Sequence, residues 1–211
     1  MKKILLSSIC ILLFFLSSYS QYTRRDLLTR NASADEIASM VSNFPAWREE
    51  SRKKILERLN ALSPQIKASL IHNAEKHIDY TWPALPAWNY LDFVRNGNRT
   101  VYQTKWSERR EILNNLVAAE LVENKGRFLP QIVNGIWALC EESTWCYPAH
   151  ISAQGKSGLP DPNQNIIDLG AGETSLNLSW IYLMLHSQLE KISPVIPQRI
   201  QFELNRRIIQ P

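Results

Sequence analysis

Apolar residues in this chain recur every three or four positions, and no stretch of six alternates in strand fashion. That periodicity predicts helices and leaves no segment suited to a half-buried sheet. Residues 35–43 carry Ile37, Met40 and Val41 at helical spacing, with Ser33 and Glu36 placed as a capping box. Residues 46–62 set Trp47, Ile55, Leu59 and Leu62 against a charged face, after an interruption at Pro45. Ser63-Pro64 opens a third helix with Ile66, Leu70, Ile71 and Ala74. Residues 107–123 read as amphipathic and stop at Asn124-Lys125-Gly126. Residues 128–143 and 168–190 are apolar on nearly every side, which predicts burial on most sides. Ser193-Pro194 starts a last helix through Ile196, Ile200, Leu204 and Ile208. Residues 79–99 and 144–165 read as long irregular stretches, and the aromatics of the first either pack against the domain, the favoured reading, or form part of a ligand cleft. The expected class is therefore all-α. Pairing of buried with amphipathic helices predicts an incomplete (α/α) toroid of helical hairpins over residues 21–211.

Residues 1–20 are set apart as a secretory signal peptide. Met1-Lys2-Lys3 is a positive start, Ile4 to Leu16 is an apolar run, and Ser18-Tyr19-Ser20 offers small residues at a cleavage site. Thirteen positions are too few to span a bilayer, which needs about 20. The expected location is periplasmic or secreted, with no membrane attachment after cleavage. Loss of Lys2 and Lys3 leaves 22 basic residues against 20 acidic, a net +2 in place of +4. With no basic block, nucleic acid is not an expected partner. Seven Gly among 211 residues argues against glycine-rich phosphate loops, whereas seven Trp and seven Tyr need a core or a sugar-like ligand to pack on.

The densest polar cluster runs from Cys140 through Glu141, Glu142, Ser143, Thr144, Trp145, Cys146 and Tyr147 to His150. At the mouth of a buried helix it has the ingredients of a sugar site. Trp145 would be a stacking platform, Glu141 and Glu142 would contact hydroxyls or exchange protons, and Tyr147 and His150 would complete the set. The alternative is a plain helix end with two exposed acids, although acids are unfavourable at a negative helix terminus. Asp168 reads as a helix cap, and Glu173 as a buried acid one turn in that needs a partner. Cys140 and Cys146 are expected as buried free thiols. A bridge would require the helix to end between them, as Glu142-Ser143-Thr144 permits. No CxxC or HxxxH spacing exists, so neither a metal nor a cofactor is called for. Residues 161–165 read as a turn, and Gly170-Ala171-Gly172 lacks the strand and third glycine of a dinucleotide fingerprint. The triplets at Asn31, Asn98 and Asn177 are assigned no role.

The string Ile136-Trp137-Ala138-Leu139-Cys140-Glu141-Glu142-Ser143-Thr144-Trp145 with Pro148-Ala149-His150 resembles the N-terminal helical region of heparinase II/III-like proteins. Gly158-Leu159-Pro160-Asp161, Ile167-Asp168-Leu169, Ala171-Gly172-Glu173-Thr174, and Arg199-Ile200 with Glu203 and Arg206-Arg207-Ile208 follow in matching order. The resemblance is firmest over residues 80–211. It implies an incomplete (α/α) toroid followed by a β-sandwich, and β-elimination on uronic-acid glycans, so an anionic polysaccharide or oligosaccharide is the expected partner. In such lyases a base removes the C5 proton, a neutralising group holds the uronate carboxyl, and an acid protonates the leaving oxygen. An Asn-Trp-Asn-type segment expected further along does not occur here, which leads us to expect a partial chain whose catalytic residues lie beyond it. Two other readings stay open. One is a toroid glycoside hydrolase pairing Glu141 or Glu142 with Glu173. The other is a non-catalytic glycan-binding helical module.

Overall fold

The computed structural model describes residues 27–154, 158–161, 164 and 166–211. The signal peptide read at residues 1–20 lies outside them, as do parts of the turn read at 161–165. Every regular element among the described residues is a helix, so the all-α class holds. The chain divides into two compact units after Trp47.

The first unit contains α1 (Leu27–Asn31), α2 (Ala34–Ser42) and the start of α3 (Phe44–Asn60). The capping box forms as expected: Ser33 Oγ accepts from the Glu36 amide, and Glu36 Oε2 accepts from the Ser33 amide at 2.7 Å. The Ser33 amide and the Ser33 hydroxyl, both donating to Oε2, hold the Glu36 carboxyl below its ordinary pKa. Phe44 and Trp47 stack at 5.6 Å between ring centroids. Pro45 therefore sits inside the first turn of α3, where its missing N–H is harmless, and interrupts nothing.

The second unit is built on α6 (Thr100–Glu123), which packs against α4 (Pro64–Glu75), α5 (Ala87–Asn96), α7 (Leu129–Cys140) and α8 (Leu169–Ile192). Then α9 (Val195–Leu204) crosses α7 and α8. Leu113, Leu116, Ile132, Ile136, Leu139, Leu178, Ile181 and Met184 form the centre of one continuous core. The helix read as buried on most sides, α7, is so, exposing Pro130 and Asn134; the departure lies in the charged residues of α6. α6 keeps an exposed face through Thr104, Glu108 and Glu111, yet it buries Arg109, Arg110 and Glu120 together with its apolar stripe. Arg109, Arg110 and Glu120 made α6 look like a surface helix, but each of these three finds an internal partner. Glu120, for example, accepts from the Gly126 amide at 2.8 Å and the Phe128 amide at 3.3 Å, closing the turn into α7.

Two segments depart from expectation. Residues 79–99 contain α5, because Pro86 occupies its N-cap position and Gly97, at φ 78°, supplies the left-handed stop. And α6 begins at Thr100, seven residues before the reading placed it, with Asn98 Oδ1 accepting from the Thr100 amide at 2.9 Å. The αL stop of α6 falls on Asn124 at φ 52°. Gly170 allows a close backbone approach. A Cβ there would lie 2.7 Å from the Trp145 carbonyl oxygen, whereas Gly172 has open space.

Cys140 and Cys146 are free and buried. Burial pushes the Cys140 thiol up to about 12 and the Cys146 thiol up to about 11, from an ordinary 9.0. The thiolate is the nucleophile, so both should be inert. In the chain lacking residues 1–20, Ellman's reagent at pH 8 should titrate neither thiol while the fold is intact and both in denaturant. Rapid colour from the native chain would contradict the burial.

Candidate functional site

The acids expected to sit unfavourably at the end of α7 have different fates. Glu141 is exposed. Glu142 turns inward, its side chain 1% exposed, between two guanidinium groups of α6. Arg110 Nη2 donates to Glu142 Oε2 at 2.7 Å, and Arg109 Nη1 to Glu142 Oε1 at 3.0 Å. Arg109 also clamps the Pro83 carbonyl and the Ala138 carbonyl. Arg110 stacks 3.4 Å over the Trp106 ring and donates through Nε to Thr174 Oγ1. Arg207 completes the junction, donating to the Glu142 carbonyl at 2.6 Å and through Nε to Glu203. Cations thus satisfy the negative end of α7, which answers the electrostatic objection raised by the sequence.

Beside this junction lies a cleft of about 560 Å³. Trp82 and Leu85 from the segment before α5, and Tyr102 and Arg109 from α6, form one side. Asn134, Trp137, Glu141, Glu142 and Ser143 line the other. A smaller pocket of about 160 Å³ adjoins it, sharing Leu85, Tyr102 and Ser143. Trp82 is seated by its Nε1 donating to Gln131 Oε1 at 2.9 Å and by its edge-on contact with Tyr80. Its ring lies directly over Gly135, where a Cβ would come within 2.5 Å of Cη2. Burial, with the Glu142 charge adding, raises the Tyr102 phenol far above its ordinary value, so it faces the cleft protonated.

Tyr147, His150, Asp168 and Glu173 gather in a second cluster. Asp168 Oδ1 caps α8 through the Ala171 amide at 2.8 Å, as expected. Its Oδ2 accepts from the Tyr147 amide at 2.9 Å and from His150 Nδ1 at 2.7 Å. A carboxylate acceptor places the His150 proton on Nδ1 and leaves Nε2 as the basic nitrogen, on a side chain 39% exposed. Tyr147 Oη donates to Glu173 Oε2 at 3.1 Å, and desolvation followed by the Glu173 charge raises the phenol. Glu173 is exposed, contrary to its reading as a buried acid.

Of the seven residues singled out in the sequence, Glu141 and Glu142 line the cleft, and Tyr147, His150, Asp168 and Glu173 meet one another elsewhere. The pairing of Glu141 or Glu142 with Glu173 required by a hydrolase is not assembled at the cleft, because Glu173 does not line it. Trp145 is no platform. It is 1% exposed, donates to the Leu139 carbonyl at 2.9 Å, and lies under the Arg207 guanidinium. Sequence reasoning did not single out Trp82, Tyr102, Asn134 or Trp137, and it named Ser143 only as a member of the polar cluster. Asn134, Trp137 and Glu141 had a signal, since i, i+3 and i+7 share one helix face. Trp82 lay in the aromatic stretch whose second reading was a ligand cleft, whereas Tyr102 had no signal, since another element brings it in.

Among the described residues no group of three His, Cys, Asp or Glu is placed to hold a metal ion. No described helix is long and apolar enough to cross a membrane. Comparison with known families and with curated proteins finds no match to this chain.

Proposed function

We propose that this chain is the glycan-holding helical part of a secreted or periplasmic polysaccharide lyase acting on uronic-acid-containing glycans by β-elimination, its helices forming an arc of an (α/α) toroid. The observation that carries the reading is the cleft. Two indole rings and unpaired polar side chains line one hollow large enough for a sugar unit, and an apolar wall with a few convergent polar groups is the usual build of a ligand site. The reaction class rests on the resemblance of the Trp137–His150 string to heparinase II/III-like proteins. No residue is assigned to proton abstraction, because Tyr147 and His150, the groups with that capacity, do not line the cleft.

Isothermal titration of heparan, chondroitin and alginate oligosaccharides into the folded chain tests the reading. Trp137 is half-buried, so Trp137→Ala should preserve the fold and weaken binding about tenfold, roughly 1.4 kcal/mol. No binding of any saccharide at millimolar concentration would remove the proposal. Where cleavage occurs, unsaturated uronate ends are expected, and saturated ends would replace the lyase reading by hydrolysis.

A further inference from the structure

Two hollows meet at Leu85, Tyr102 and Ser143, which line both the cleft and the pocket of about 160 Å³ beside it. That volume is well below the roughly 300 Å³ at which sites for whole ligands begin, so the pocket suits a substituent and not a sugar unit. Its other walls are Ala87, Leu159, Pro160 and Tyr90, whose hydroxyl is taken by the Cys146 carbonyl at 3.2 Å. No charged side chain among the described residues lines it, so an ionised substituent there would lose water and gain no partner from the walls. Tyr102 breaks the apolar lining. It is 5% exposed, its ring is set edge-on against Tyr90 at 4.8 Å between centroids, and its hydroxyl has no hydrogen-bond partner among the described residues. A phenol buried this deeply ordinarily finds a partner, which marks Tyr102 Oη as a bonding position for a ligand. Ser143, also without a side-chain hydrogen bond among the described residues, brings a second hydroxyl to the junction.

We propose that this side pocket takes the acetyl group of a sugar whose ring lies in the cleft. The methyl would sit among Leu85, Ala87, Leu159 and Pro160, and the carbonyl oxygen would accept from Tyr102 Oη or Ser143 Oγ. The inference rests on the reading of the cleft as a glycan site and names a substituent that the glycan carries. Sugars bear acetyl groups as amides on nitrogen or as esters on oxygen. Both present the same carbonyl and methyl to the pocket. A sugar without the acetyl keeps its contacts in the cleft and forgoes the apolar burial and the hydrogen bond.

Isothermal titration of two matched pairs tests this. Chitotetraose and cellotetraose are both neutral and differ at C2, acetamido against hydroxyl. An O-acetylated mannuronate tetrasaccharide and its alkali-deacetylated form differ only in the ester. The acetylated member of at least one pair should bind about tenfold tighter, the sum of one buried methyl and one hydrogen bond, and the pair that shows the gap identifies amide or ester. Ala87→Leu fills the pocket from an exposed position at the start of α5, and Tyr102→Phe removes a hydroxyl that bonds nothing in the fold, so neither should lower the unfolding midpoint. Each variant should shrink the gap about threefold or more. No gap in either pair, or a gap that either variant leaves intact, would overturn the inference, and the glycan site would still stand if the sugars bind and weaken in Trp137→Ala. Failure of all four sugars, with heparan, chondroitin and alginate oligosaccharides also failing, would overturn the glycan reading itself.

Discussion

Replacing Glu142 by alanine should cost about 3–5 kcal/mol, because it strands two buried guanidinium groups that now share one carboxylate. For a domain of this size that is a fall of roughly 10 °C or more in the midpoint of thermal unfolding, read by circular dichroism. Part of the loss comes from Arg109, which also ties the Pro83 segment and the end of α7 to α6, so the cleft should loosen with the fold. The cost lies in breaking the network and not in lacking it. Glu142→Leu combined with Arg109→Met and Arg110→Met should recover most of the lost stability, as apolar replacements of buried ion triads do. An unchanged midpoint for Glu142→Ala would mean that Glu142 is solvated and that the junction does not exist.

Trp145→Ala should be comparably severe, about 3–5 kcal/mol, the usual cost of removing a buried indole. The ring fills space beneath Arg207, and its Nε1 satisfies the Leu139 carbonyl near the end of α7. Trp145→Phe should keep most of the packing and lose chiefly that hydrogen bond, about 1 kcal/mol. Glycan affinity of the folded fraction should stay the same in Trp145→Phe, in contrast to Trp137→Ala. Loss of sugar binding by Trp145→Phe with an unaltered unfolding midpoint would restore Trp145 as a ligand platform and refute its place in the core.

These two residues show where reading the sequence succeeds and where it stops. The cluster from Cys140 to His150 stood out as the functional stretch, and of it Glu141, Glu142 and Ser143 line the cleft while Tyr147 and His150 do not. The roles within it were misplaced. Trp145 was taken for the platform because it is a Trp beside two acids, but it is buried, and Trp137, eight residues earlier, lines the cleft. Glu141 and Glu142 are chemically identical in sequence. One points to solvent and the other into the core, and a turn of about 100° per residue at a helix end is enough to separate them.

Features whose partners lie within four residues were legible in advance. The Ser33–Glu36 box, the Ser63-Pro64 start, the Asp168 cap and the stop after Glu123 all formed, since each depends on local hydrogen bonds and backbone geometry. The helical class followed for the same reason, from periodicity alone. The cleft and the buried junction needed contacts between residues far apart in the chain. Glu142 meets Arg109 and Arg110 across 33 and 32 positions, and Trp82 meets Gln131 across 49. No propensity or spacing rule encodes which charges will neutralise one another at that range, because the pairing is fixed by how α6, α7 and α8 pack. That packing buried Arg109, Arg110 and Glu120 of α6, turned Glu142 inward and left Glu141 exposed.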